Sequence, residues 1–177
     1  MTNVSLKERY TKETIPAFKG RSVMAVPRLE KVVVNVGVGR ARDEKEREDV
    51  RKALVQITGQ AVQGRPARIA IASFKSRKGM TVGFRVTLRG KRMWDFLDRL
   101  VLSAIPRTRD FRGLKEEGLD EHGNMHIGIR EHIIFPEMIG EDVRRIFSLQ
   151  VSIVTTAGSR ERAKILFTTL GFPLAKD

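Results

Sequence analysis

The chain has 177 residues, 41% of them hydrophobic, no cysteine, and a formal net charge of +13 from 34 Lys and Arg against 21 Asp and Glu. That length suits one compact domain spanning residues 1–177, and the apolar content excludes a globally disordered chain. Without cysteine there is no disulfide, thiol catalysis or cysteine zinc site; no apolar run approaches the roughly 18 residues of a membrane span, and no signal-peptide core follows the N-terminus, which together fit a cytoplasmic protein.

Leu6, Tyr10 and Ile15 predict a short helix that stops near Pro16. Leu29–Val38 (LEKVVVNVGV) alternates and is β-branched, so it reads as a strand with Val32, Val34, Val36 and Val38 on one face and Lys31, Val33, Asn35 and Gly37 on the other. Asp43–Thr58 reads as a helix, with acids in its first turns, Val50, Ala53, Leu54 and Ile57 at helical spacing, and Gly59 to end it. Arg68–Phe74 (RIAIASF) predicts a second strand, with Ile69 and Ile71 toward the core and Arg68, Ala70, Ala72 and Phe74 opposite. Thr81–Arg89 alternates most cleanly, with Val82, Phe84, Val86 and Leu88 against Arg85, Thr87 and Arg89.

A helix from Lys91 to about Ala104 follows, carrying Met93, Phe96, Leu97 and Leu100 on one stripe. Pro106–Asn124 reads as a projecting polar loop. His126–Phe135 and Leu149–Thr156 predict two more strands, with a short helix near Glu141–Ile146 between them, and Ser159 caps a last helix closed by Gly171 and Pro173. The elements amount to a single α+β domain: a mainly antiparallel sheet of about five strands, helices packed on one face, the other face open.

The charge is unevenly placed. Residues 50–94 contain eleven Lys and Arg and no acid, which leaves 23 basic against 21 acidic residues elsewhere. Ordinary solvated surfaces mix both signs, so an acid-free run across several elements points to an anionic partner, nucleic acid before anionic membrane. The open face collects Lys31, Asn35, Arg68, Phe74, Arg85, Thr87 and Arg89. Arg and Lys neutralise phosphates, Asn and Thr hydrogen-bond to bases or sugars, and a Phe ring stacks on a base. Charges also gather at the hairpin tip, where Lys75, Arg77 and Lys78 precede Gly79 and Met80.

Other chemistries are weaker. Gly37-Val38-Gly39 lacks the third glycine and the later acid of a dinucleotide site, and Gly59 and Gly64 precede Arg65-Pro66 where a phosphate loop needs Lys-Ser/Thr. His122, His126 and His132 lack a completing ligand set, so no metal is expected and they read as surface or RNA-facing side chains. Gly79–Phe84 lacks the exposed aromatics of an RNA-recognition-motif strand. Glu116, Glu117, Asp120 and Glu121 read as a solvated loop. The rival reading, an RNA-modifying enzyme, needs a cofactor loop or a poised acid–base pair, and the sequence offers neither.

ALVQITGQ (53–60), SFKSRKGMTVGFRVTLRG (73–90), PRTRDFRG (106–113), GIREHIIFPE (128–137) and SIVTTA (152–157), after VMAVPRLEKVVVNVGVG (23–39), resemble in order the family of bacterial-type ribosomal large-subunit protein five, the 5S-rRNA-binding protein of the central protuberance. The resemblance implies a non-enzymatic ribosomal protein without cofactor, whose sheet holds 5S rRNA through Asn35, Gln60, Phe74, Thr87 and Arg89. It further implies a 75–83 tip that reaches P-site tRNA, and loops of the second half that meet a small-subunit head protein in an intersubunit bridge, with 23S rRNA a further partner. Gln60 enters only through the resemblance. The chain departs from the family pattern at Val62, Arg65, Met80-Thr81, Ile139-Gly140 and Ser148-Leu149-Gln150.

Overall fold

Helix α1 covers residues 6–17. Ser5 caps it by accepting the Glu8 N–H at 3.3 Å, and Asp98 Oδ1 accepts the Leu6 N–H at 2.7 Å. These two acceptors satisfy N–H groups that have no partner inside a first turn. The computed structural model describes residues 4–18, 22–39, 43–74, 76–109, 111–140 and 146–175. A π turn over Tyr10–Thr14 comes just before Pro16, and a second over Leu100–Ala104 comes just before Pro106. A proline ring crowds the carbonyl four residues back, and the wider π turn relieves that clash.

Strand β1, Leu29–Gly37, buries Val32, Val34 and Val36 to 1% exposure or less. Burying each contributes about 1.5–3 kcal/mol, so the alternation determines which face meets the helices. Helix α2, Glu44–Thr58, starts after Asp43 with Glu44 and Glu46 in its first turn. It ends at Gly59, whose φ of +64° is the left-handed conformation that glycine adopts cheaply.

Four further strands complete the sheet: β2 Gln63–Pro66, β3 Thr81–Leu88, β4 Met125–Ile129 and β5 Leu149–Thr155. The order is β2-β3-β1-β5-β4, with every neighbouring pair antiparallel. Helix α3, Gly90–Arg99 continued by its π turn, and helix α4, Arg160–Thr169, bury Met93, Phe96, Leu97 and Leu100, and Ala163, Leu166 and Phe167. Ser159 Oγ caps α4 by accepting the Arg162 N–H. The helices share one core with the valine face of β1, and Phe96 stacks on Phe135 at 6.0 Å.

Four expectations need correction. Arg68–Phe74 is not a strand: β3 pairs with Gln63–Pro66 instead, Ile69 is 70% exposed and Ile71 43%. The alternation in RIAIASF has no core beneath it, so nothing rewards extending the sheet there, whereas Pro66, which lacks an N–H, sits acceptably on an edge strand. His126–Phe135 stops pairing after Ile129, and His132–Ile134 is a 3₁₀ turn. His132 is buried rather than surface-facing; it stacks on Phe147 at 3.9 Å and accepts the Phe147 N–H at 3.4 Å.

The 106–124 segment does not project freely along its length. Leu114 bonds to Pro173 and Ala175, Leu119 is buried, Glu116 pairs with Lys164, and the Asp120 carboxylate accepts from Asn124. Two leucines in a polar stretch are enough to strap it to the tail and β4. The expected helix near Glu141–Ile146 lies outside the described residues, apart from exposed Ile146.

Candidate nucleic-acid interface

The sheet register carries the site. Gln63, Arg85, Asn35, Gln150 and Gly128 stand opposite one another in turn, one from each of the five strands, and share the face turned away from the helices. The next row is Thr87, Val33, Ser152 and His126. Arg65, Gly83 and Gly37 form a row on the other side, and Lys31 stands opposite Val154. No acid occupies any of these positions. Among the described residues the acids that reach these positions are Glu30, paired with Lys31 at 3.7 Å, and Asp120, 3.5 Å from His126 Nε2, both at the rim.

Arg85 stands second in the first row, half-buried between Gln63 and Asn35. Its Nε–H is buried and makes no hydrogen bond. A buried donor without an acceptor is costly, and the charge of the half-buried guanidinium suits an anion on the open face. His126 is held by Ser152, whose Oγ is 2.9 Å from Nδ1, and by Asp120. Asn124 and His126 both bond Asp120; although partial burial raises its pKa, those bonds win and hold the carboxyl below its ordinary value. Among the described residues no group of three or more His, Asp or Glu is placed to hold a metal. No helix among them is long and apolar enough to cross a membrane.

Two family models match the chain: Ribosomal protein L5 over residues 22–77, and the C-terminus of the same ribosomal family over residues 81–174. Large ribosomal subunit protein uL5 of Rubrobacter xylanophilus is 50% identical over 173 residues, 95% of this chain and 96% of that protein. The chain belongs to the ribosomal protein L5 family. Proteins of the same name from Chloroflexus aurantiacus and Chlorobaculum tepidum are each 48% identical over 175 residues, 96% of this chain and 97% and 96% of their own lengths. This L5-family chain is accordingly a non-enzymatic structural constituent of the large ribosomal subunit, on the ribosome in the cytoplasm.

The sequence-predicted residues of this L5-family chain divide into two groups. Lys31, Asn35, Arg85 and Thr87 lie on the sheet face, and Arg89 is exposed where β3 meets α3. Gln60 lies beside β3, with Nε2 donating to the Thr87 carbonyl at 2.9 Å. Arg68 and Phe74 leave the sheet, because Arg68–Phe74 is no strand. Arg68 is exposed in the 67–80 excursion, and Phe74 closes the 3₁₀ turn Ala72–Phe74 at its crown.

That excursion is tied at its base by the Ala67 N–H to the Met80 carbonyl, 2.8 Å, and near its top by two Ile71–Ser76 backbone bonds of 3.2 Å. Arg77 and Lys78 are exposed on the returning limb, Gly79 has a φ of +89°, and Met80 is half-buried; Lys75 lies outside the described residues. Gln63, Arg65, Gln150, Ser152, His126 and Gly128 complete the face; the sequence reading had His126 as a surface or RNA-facing side chain and passed over the other five as site residues. The alternation that places four of them is present in MHIGI and LQVSIVT; Gln63 and Arg65 lie in a strand too short and too exposed to signal itself.

Proposed function

We propose that the open sheet face of this large-subunit protein binds 5S rRNA. Lys31, Arg85 and Arg89 neutralise phosphates, Asn35 and Thr87 hydrogen-bond to bases or riboses, and Gln60 stands at the edge beside Thr87. The observation that carries the reading is the acid-free row Gln63–Arg85–Asn35–Gln150–Gly128, with the half-buried guanidinium of Arg85 between Gln63 and Asn35. Filter binding of the purified chain to transcribed 5S rRNA across a salt series tests it. The expected result is binding that weakens steeply with salt; equal affinity for an unrelated structured RNA of the same length overturns it.

Away from the sheet, the 67–80 excursion reaches P-site tRNA through Lys75, Arg77, Lys78, Gly79 and Met80, while Arg68 and Phe74 on the same excursion are 5S rRNA contacts. The exposure of Arg77 and Lys78, with no acid paired to either among the described residues, supports this. Backbone approach at Gly79 and phosphate contacts suffice there without base readout. The loops of the second half meet a small-subunit head protein in an intersubunit bridge, and 23S rRNA is a further partner. Exposed Ile139, beside the sharp turn at Gly140, is an apolar contact suited to the protein partner.

A further inference from the structure

We propose that the β4–β5 half of the open face holds a single unpaired nucleotide of the bound RNA. This rests on the reading of the sheet as the RNA site and adds a subsite on strands that the 5S reading leaves without an RNA contact. A shallow hollow of about 460 Å³ opens there, lined by Asn35, Gly37, Gly128, Arg130 and Gln150, with His126 at its side. That volume lies within the roughly 300–1,000 Å³ of small-ligand sites.

Its chemistry is that of a base and its phosphate rather than of a duplex backbone. Asn35 and Gln150 face each other across β1 and β5, both exposed, so two amides point into one space. Each amide offers a donor and an acceptor, the pair of functions a base edge matches. Arg130, exposed at the end of β4, is the cation for the phosphate. Ser152 at Nδ1 and Asp120 at Nε2 engage both nitrogens of His126 and fix its ring as a rigid wall beside the hollow. Unpaired nucleotides, splayed out of their stack, are the part of an RNA that proteins read in this way.

The floor makes the proposal testable. Gly128 and Gly37 have nothing within 4 Å of where a Cβ would stand, and neither has a positive φ. Gly128→Val therefore fits the strand, suits its β propensity, and fills the hollow. We expect at least a tenfold loss of 5S rRNA affinity for Gly128→Val with an unchanged or raised melting temperature, and a several-fold loss for Gln150→Ala. Hydroxyl-acylation probing of 5S rRNA should show one unpaired nucleotide protected by the wild-type chain and reactive again with Gly128→Val. Wild-type affinity and protection in both variants, while Arg85→Glu loses binding, overturns the subsite and leaves the sheet reading standing. Wild-type affinity in Arg85→Glu as well overturns both.

Discussion

The side-chain amide of Gln60 extends the sheet by one rung: its Nε2 donates 2.9 Å to the carbonyl of Thr87, where β2 has not yet begun. The β2 ladder begins at Gln63 opposite Arg85, so the outer edge of β3 at Thr87 has no strand beside it. Gln60 thus holds in place a strand whose Thr87 and Arg85 side chains face the open surface.

Gln60→Ala should therefore weaken the chain and its RNA binding together. The lost bond costs about 0.5–1.5 kcal/mol of stability. Chemical denaturation paired with 5S rRNA binding checks this: unchanged stability with lost affinity would make Gln60 purely an RNA contact.

Arg89→Glu should separate binding from folding in the opposite way. Arg89 is the N-cap of α3, whose first turn carries Lys91 and Arg92 and no acid. An acid there suits the positive end of the helix by about 0.3–1 kcal/mol, so the melting temperature should hold or rise. Affinity for 5S rRNA should fall, and the slope of log affinity against log salt should flatten by about one unit as one phosphate contact disappears. An unchanged salt slope removes Arg89 from the interface.

Replacing Lys75, Arg77 and Lys78 together by alanine should leave most 5S rRNA affinity intact, because the 67–80 excursion lies outside the sheet ladder. Retention of P-site tRNA on reconstituted particles should drop. If the triple variant loses 5S binding as badly as Arg89→Glu does, the tip belongs to the 5S site.

His132 should make stability depend on pH. Burial pushes its imidazole below the ordinary value of 6.5. The folded chain then keeps the ring neutral while the unfolded chain takes up a proton, so stability is full above about pH 6.5 and declines as pH falls below it. Melting temperatures at pH 7.5 and 5.5 should differ less in His132→Gln than in the wild type. An equal difference in both proteins assigns the effect to other groups.

The sequence by itself determined the elements that a core rewards. The valines of β1, the apolar stripes of α2 and α3, and the alternation of β3 and β5 each bury one face, so burial free energy makes their period legible without any neighbour being known. It also determined the acid-free charge of residues 50–94, and through β1 and β3 it placed Lys31, Asn35, Arg85 and Thr87 on one face.

Tertiary structure decided what depends on partners. Whether RIAIASF or QGRP pairs with β3 turns on edge hydrogen bonds and on a core that ends short of Ile69, and neither leaves a periodic mark. The burial of His132 comes from Phe147, fifteen residues along the chain, and the capping of α1 comes from Asp98 on α3. Cross-strand register is likewise a property of pairs. Only the folded sheet sets Gln63, Arg85, Asn35, Gln150 and Gly128 side by side, because residues distant along the chain become neighbours only when backbone hydrogen bonds fix the strands against one another.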